Sequence, residues 1–419
     1  MNNIPIQSYN IKTLNRFFRL NPKKEISKEQ LCKEFGISSL DPIPWMPQFY
    51  SIPYHFKLSS LAAYKEGCIY GMDVSSGAVV KALAPEPGDN ILDLCCAPGA
   101  KLSFMMDEMN HTGTITGVDI SESRLSTCRT ICKKYGVTNV RLFACDASSF
   151  NILAPDLNAE PIRKKRRVNY DSNQSISITN SNSNSNQSTT ELSVSNSSIQ
   201  KIESIQNSDT NESTPTNSSL PESQSTTNTP ITTSNSIQSI DPATPSISSA
   251  QNPKCNQKKK KKKKKKRHLD DLPNLFFCNN WKMRSSSSFL YDKVLVDAPC
   301  TLDASVRHIL QFNKVGWNKN QFSTDISNNI TQIQKRILLN GFNLLKSGGT
   351  LVYATCSFCK NQNEDVIEWL LNTEKSASVV PITSLASSPA TPGTIPSTLR
   401  FLPIHTNTSG IFIAKIQKK

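Results

Sequence analysis

Short apolar runs alternate with amphipathic stretches over two separated parts of the chain. NILDLCC (90–96), TITGVDI (114–120) and VRLFACD (140–146) are compact apolar runs bounded by turn or polar residues, which predicts buried strands. Between them, KLSFMMDEM (101–109) and SESRLSTCRTICKKYG (121–136) carry helical spacing, the second with Ser121 as N-cap and Gly136 as C-cap. The pattern stops at Phe150 and resumes at Phe289: YDKVLVDAPC and GTLVYATCSF predict strands, ISNNITQIQKRILLNGFNLLKSGG and NQNEDVIEWLLN predict helices, and residues 396–419 predict a β-hairpin. Strands alternating with helices imply βαβ units and a parallel sheet, so the fold class is α/β.

The remaining segments differ in texture. Residues 1–66 are expected to form a small helical N-terminal cap, from NIKTLNRFFRLNPKK and SKEQLCKEFG, followed by the Pro-rich connector DPIPWMPQFYSIPYHF. Residues 67–150 and 286–419 would be the two parts of one α/β domain. Residues 151–285, rich in Ser, Asn, Thr and Gln, hold too few large apolar side chains to offset the entropy of ordering. They are expected to be a long disordered low-complexity insertion.

Charge changes the picture less than its total suggests. The chain of 419 residues has 48 Lys and Arg against 33 Asp and Glu, a net charge of +15. The runs at 163–167 and 258–267 hold fifteen positive charges between them, but acids in the same segment offset part of them: residues 151–285 carry a net +8 and the other 284 residues +7. The first, within PIRKKRRV, has the form of a nuclear-import signal and implies import receptors as partners; the second would serve the same end or bind RNA phosphates loosely. Nucleus or nucleolus is the expected location. No apolar run reaches the roughly 18 residues of a membrane span, and MNNIPIQSYN lacks the apolar core of a secretory signal. The expectation is an intracellular chain away from membranes, its twelve cysteines reduced. No paired CxxC units stand at zinc-site spacing, so no metal is expected.

Chemistry gathers at the predicted strand ends. Asp93 to Lys101 reads DLCCAPGAK, a tight small-residue turn between strand and helix where a ligand can approach the backbone. It is neither GxGxxG nor a P-loop. Asp119 ends the next strand, where a carboxylate can accept hydrogen bonds from ribose hydroxyls, and Asp146 ends the third, toward the base of the same nucleoside. Each acid alone is equally suited to cap the following helix; three together favour a ligand-binding rim. Asp297, Ala298, Pro299 and Cys300 close the fourth strand, and Ala354, Thr355, Cys356 and Ser357 the fifth. A lone cysteine there is usually a small core residue, whereas two at corresponding strand ends point to nucleophilic chemistry. Cys128 and Cys132 read as helical core, Cys359 as a weak disulfide candidate for Cys356, and His55, His308 and His405 as structural or RNA-facing.

In these motifs the chain resembles the Sun/RsmB (Fmu) family of RNA cytosine-5 methyltransferases. The resemblance covers nearly everything outside the insertion: FRLNPKK, GCIYGMDVSSG, DLCCAPGAK, VDIS, CDAS, DAPC, ATCSF, RFLP and GIFIA. It implies a Rossmann-like methyltransferase sheet, monomeric, acting on rRNA or tRNA with S-adenosylmethionine. Cys95, Cys96, Ala97, Pro98, Gly99, Ala100, Lys101, Asp119, Asp146 and Asp297 would contact that cofactor, Asp297 also holding the edge of the target base. Cys356 would be the nucleophile and Cys300 would assist product release. The family's usual Ala and second Gly in the first motif are Cys96 and Ala100 here, and where it has Ser-Gly after the fourth-strand cysteine this chain reads Thr301-Leu302-Asp303, which implies a differently shaped loop under the target base. Two other readings stand beside this one: a DNA cytosine-5 methyltransferase, whose nucleophile would be Cys300, and a noncatalytic RNA-binding ribosome-assembly factor.

Overall fold

The computed structural model describes residues 4–157, 274–284, 289–317 and 323–419. The N-terminal part is not the expected helical cap. Arg16–Leu20 (β1), Pro42–Ile43 (β2), Met46–Ile52 (β3) and Ile69–Gly71 (β4) form an antiparallel sheet in the order β2-β3-β1-β4. Of the expected helices, only Lys28–Phe35 (α1) forms, capped by a reciprocal Ser27–Gln30 box, with a single turn at Ala62–Lys65 (α2). The correction has a physical cause. Both faces of β1 are covered, Phe18 by Leu31, Phe35 and Tyr50, and Phe17 by the core of the main domain. A strand buried on both sides loses the alternation that would reveal it. The Pro-rich connector supplies β2 and β3, and Pro47 precedes the residues Phe49–Ile52 that pair with β1, so it removes no bond from that ladder.

The main domain continues with Val74–Leu83 (α3), Asn90–Asp93 (β5), Ala100–Glu108 (α4), Thr114–Asp119 (β6), Glu122–Lys134 (α5) and Val140–Ala144 (β7). After the insertion come Asn274–Cys278 (β8), Tyr291–Asp297 (β9), Val306–Val315 (α6), Thr324–Leu344 (α7), Leu345–Thr355 (β10) and Glu364–Thr373 (α8). Ala377–Val379 (β11), Thr391–Pro392 (β12), Leu399–Phe401 (β13), Pro403–Thr406 (α9) and Ile411–Lys418 (β14) complete it. Among the described residues these strands make one ten-stranded sheet, ordered β12-β13-β14-β10-β9-β5-β6-β7-β8, with β11 beside β14. The five strands from β10 to β7 are parallel. The expected terminal hairpin is β13 and β14, antiparallel, with α9 at its tip.

Alternation along the strands divides the core in two. Ile91, Ile115, Leu142, Leu295 and Val352 face α3, α4 and α5. Leu92, Val118, Phe143, Val294 and Tyr353 face α7 and α8. Gly341 lets α7 lie close on the sheet, since a Cβ there would stand 2.9 Å from Leu94. The expected insertion is too long at its C-terminal side. Asn274–Cys278 pairs with β7, and Arg141, buried against the Thr116 hydroxyl, donates to the Met283 carbonyl at 3.1 Å. The apolar run Leu275–Phe277 had been masked by its polar neighbours. Both basic runs lie outside the described residues. Among the described residues, no helix is long and apolar enough to cross a membrane.

Candidate active site

Parallel strands β5, β6, β7, β9 and β10 all end on one edge, and every candidate residue follows one of those ends. After β5 the chain turns through Cys95 to Gly99, tied to its neighbours by Cys96 N–H to the Val118 carbonyl and Leu94 N–H to the Leu295 carbonyl, both 3.0 Å. Ala97–Pro98 is a cis peptide. Gly99 has φ +106°, and a Cβ would meet Cys128 Sγ at 2.7 Å, so glycine is required on both counts. Ala100 is the first residue of α4 and takes no left-handed conformation. Cys96 and Ala97 are buried beneath the turn and Pro98 is exposed on it. Cys96 packs on the Cys128 face of α5, and Cys128 and Cys132 lie in the core, as expected.

Three carboxylates sit close together on this edge. Asp119 is buried, accepts from Ser121 N–H at 3.0 Å and Ala97 N–H at 3.3 Å, and has Arg124 Nη1 at 3.4 Å. Burial raises its carboxyl above the ordinary range in spite of those partners. Arg124 also donates to the Ala97 carbonyl at 2.8 Å, bracing the turn; sequence reasoning missed it. Asp297 receives Lys101 Nζ at 2.6 Å. Burial pulls the Lys101 ammonium down, but the charge and hydrogen bond of Asp297, with Asp93 and Cys356 adding, hold it above its usual value. Asp93 is buried with Cys95 N–H at 3.4 Å, and burial, then the Asp297 charge, pushes its carboxyl up to about 7. Asp146 stands apart from this group: it is exposed and accepts from Ser148 N–H at 2.8 Å, a local turn.

The two strand-end cysteines do meet. Cys300 Sγ and Cys356 Sγ are 3.4 Å apart. Cys300 is buried, and the contact with Cys356, followed by burial, raises its thiol far above the ordinary range. Either sulfur can donate across this contact. Behind it, Leu302 takes φ +62° where the family's glycine would stand. Asp303, the last residue of that altered loop, is buried and accepts from Phe358 N–H at 3.0 Å and from the Thr301 hydroxyl. The Ala304 N–H reaches the Cys356 carbonyl at 3.0 Å, joining the two loops. Cys359 points to Asp303 at 3.9 Å, and all described cysteines are free thiols. His308 is buried beside Ser305 on α6.

A parallel α/β sheet with an acid rim and a thiol pair along one edge defines a Rossmann-like methyltransferase fold. The chain belongs to the 16S rRNA methyltransferase RsmB/F family, whose model matches residues 80–158 and 255–417. Among curated relatives, the rRNA (cytosine-C(5))-methyltransferase NOP2C of Arabidopsis thaliana is 25% identical over 338 residues, 78% of this chain and 46% of that protein. The tRNA (cytosine(49)-C(5))-methyltransferase of Pyrococcus abyssi is 30% identical over 136 residues, 30% of this chain and 42% of that protein. The matches thus span less than half the length of these relatives. Of solved structures, NSun6 from Pyrococcus horikoshii with SFG has a TM-score of 0.56 at 15% identity, covering 98% of this chain and 92% of that one. A methyltransferase homolog protein from the same organism has a TM-score of 0.55 at 21% identity, covering 99% and 89%.

Proposed function

We propose that this chain is an RNA cytosine-C5 methyltransferase acting on rRNA or tRNA with S-adenosylmethionine as methyl donor. The observation that carries the reading is the pair of thiols 3.4 Å apart beside the acid rim. The names of the plant and archaeal relatives support the substrate class.

The rim suits the donor. Among the described residues Lys101 pairs with Asp297 and Arg124 with Asp119, while no cation pairs with Asp93. Lys101 acts on Asp93 without pairing with it, and burial and the Asp297 charge outweigh it, so the carboxyl stays raised and a cationic ligand would lower it again. S-adenosylmethionine carries an ammonium and a sulfonium, fits that requirement, and would supply an electrophilic methyl group. Asp119 would accept from ribose hydroxyls, and the backbone from Cys95 to Ala100 would line the nucleoside. Lys101 would hold the Asp297 carboxylate in place through their 2.6 Å ion pair.

Cytosine C5 is a poor nucleophile in the aromatic ring. Addition of the Cys356 thiolate to C6 would form an S–C6 bond and move an electron pair to C5, which would then take the methyl group from the donor's sulfonium as the S–CH3 bond breaks and the thioether leaves. Loss of the C5 proton to a base regenerates the C5–C6 double bond as the S–C6 bond breaks. Cys300, its thiol 3.4 Å from Cys356, would assist that elimination. A thiol serves because it attacks well and leaves well, which an alcohol does not. Reaching C6 requires an unstacked base, so the target lies in a loop, an end or an extruded position.

Tritium transfer from labelled S-adenosylmethionine to total RNA tests the reading. Cys356→Ala should abolish transfer, while Cys300→Ala should leave an RNA–protein adduct that survives denaturing gels. Full transfer by Cys356→Ala would refute the mechanism, and loss of adduct in Cys300→Ala alone would favour the DNA-type arrangement. Nuclear or nucleolar location belongs to the same proposal, and a fluorescent fusion lacking residues 163–167 should shift toward the cytoplasm.

A further inference from the structure

The turn between β10 and α8 reaches both thiol loops through two adjacent carboxamides. Gln362 and Asn363 are fully buried. Asn363 brackets Cys356: its Oδ1 accepts from the Thr355 hydroxyl at 2.5 Å, and its Nδ2 donates to the Ser357 carbonyl at 2.8 Å. These partners are the residues immediately before and after the cysteine. Gln362 holds the other loop next to Cys300: its Oε1 accepts from Thr301 N–H at 3.1 Å, and its Nε2 donates to the Thr301 hydroxyl at 3.1 Å. The Gln362 carbonyl in turn accepts from Tyr353 OH at 2.6 Å, which anchors the turn to β10.

Each residue uses both ends of its carboxamide, a donor and an acceptor on one planar group. In a buried site every one of these bonds is directional and costly to leave unmade. The two loops come from different strands, so their separation is not fixed by the ladder between β9 and β10, which ends at Asp297 and Ala354. From these contacts we infer that Gln362 and Asn363 are a positioning pair that sets the approach of Cys300 and Cys356, Asn363 governing adduct formation and Gln362 governing release. The inference rests on the roles proposed above for the two thiols. Neither amide touches a sulfur, so both act through the loops they hold. A displacement near 1 Å at reacting atoms can cost about 100-fold in rate.

The test separates the two halves of the reaction. Asn363→Leu and Gln362→Met remove the hydrogen bonds at similar volume. In single-turnover assays with total RNA and tritiated S-adenosylmethionine, Asn363→Leu should form adduct about 100-fold more slowly, with the half-saturating RNA concentration unchanged. Gln362→Met should form adduct at close to the unmodified rate and accumulate it, as Cys300→Ala does. Equal effects of both variants on formation and release, or none, would overturn the inference. Retained S-adenosylmethionine binding reports that a variant is folded. If either loses it, Thr355→Val and Thr301→Val, which delete one hydroxyl on each side, take their places under the same criteria. Cys356→Ala runs beside them: adduct in that control would refute the reading of the thiols, whereas a silent control with unsplit variants would refute the positioning pair alone.

Discussion

Asp93 shows how one buried group sets a pH dependence. Burial and Asp297 move its carboxyl from 3.8 to about 7. In the unfolded chain it loses its proton near pH 4, so between about 4 and 7 the folded state binds the extra proton. Stability contributed by this site therefore falls as pH rises through that window, is unaffected below it and stays reduced above it. At about 1.4 kcal/mol per unit, the full effect is on the order of 4 kcal/mol. Asp93→Asn, which keeps the acceptor for Cys95 N–H, should be more stable than the unmodified chain at pH 8 and about equal at pH 4, by urea denaturation. Leu302 sets two effects against each other. A left-handed conformation costs about 1–2 kcal/mol, yet the side chain is buried and its removal costs about 2–5 kcal/mol. Leu302→Gly should thus lower the melting temperature although it relieves the backbone. At this scale the two cysteines and the aspartates were legible because strand ends are legible. Arg124, Gln362 and Asn363 were not, because their partners lie on other elements and no spacing along the chain announces them.

Among elements, legibility followed how each one is buried. The central strands were clear from apolar runs bounded by turns, and α5 from Ser121, whose hydroxyl accepts from Arg124 N–H at 3.4 Å. β1 was hidden by being covered on both faces, and α3 by being buried almost all round, which leaves no polar face to mark its period. How the small sheet is tied to the main domain is visible only in three dimensions. Arg19 of β1 is buried over the Tyr70 ring at 3.6 Å, and its Nη1 meets Asp107 of α4 at 2.6 Å. Taking away one member of such a pair strands the other charge in the interior, at about 3–5 kcal/mol, whereas replacing both with apolar groups is often near neutral. Arg19→Leu should therefore lower the midpoint of chemical denaturation sharply. Arg19→Leu with Asp107→Leu should recover most of the loss, a non-additivity that a double-mutant cycle reads directly.

At the scale of the whole molecule the question is what the insertion contributes, and the structure sharpens where to cut. Removing residues 151–285 would delete β8 and the Met283 carbonyl that Arg141 reaches, together with the Ala154 N–H that meets the Phe289 carbonyl at 3.0 Å. Arg141 is buried and would lose part of its hydrogen bonding, so that deletion should fail through instability. Replacing only residues 158–273 with a flexible Gly/Ser linker keeps β8 paired to β7 and every residue of the acid rim and thiol pair. The runs at 163–167 and 258–267 leave with it, fifteen positive charges that can release counterions on RNA. The shorter chain should keep its S-adenosylmethionine affinity and its single-turnover rate at saturating RNA. Its RNA affinity should fall at low salt, and the slope of log affinity against log salt should flatten. If the slope is unchanged while the rate drops, the insertion acts on the site itself and the charge assignment is wrong.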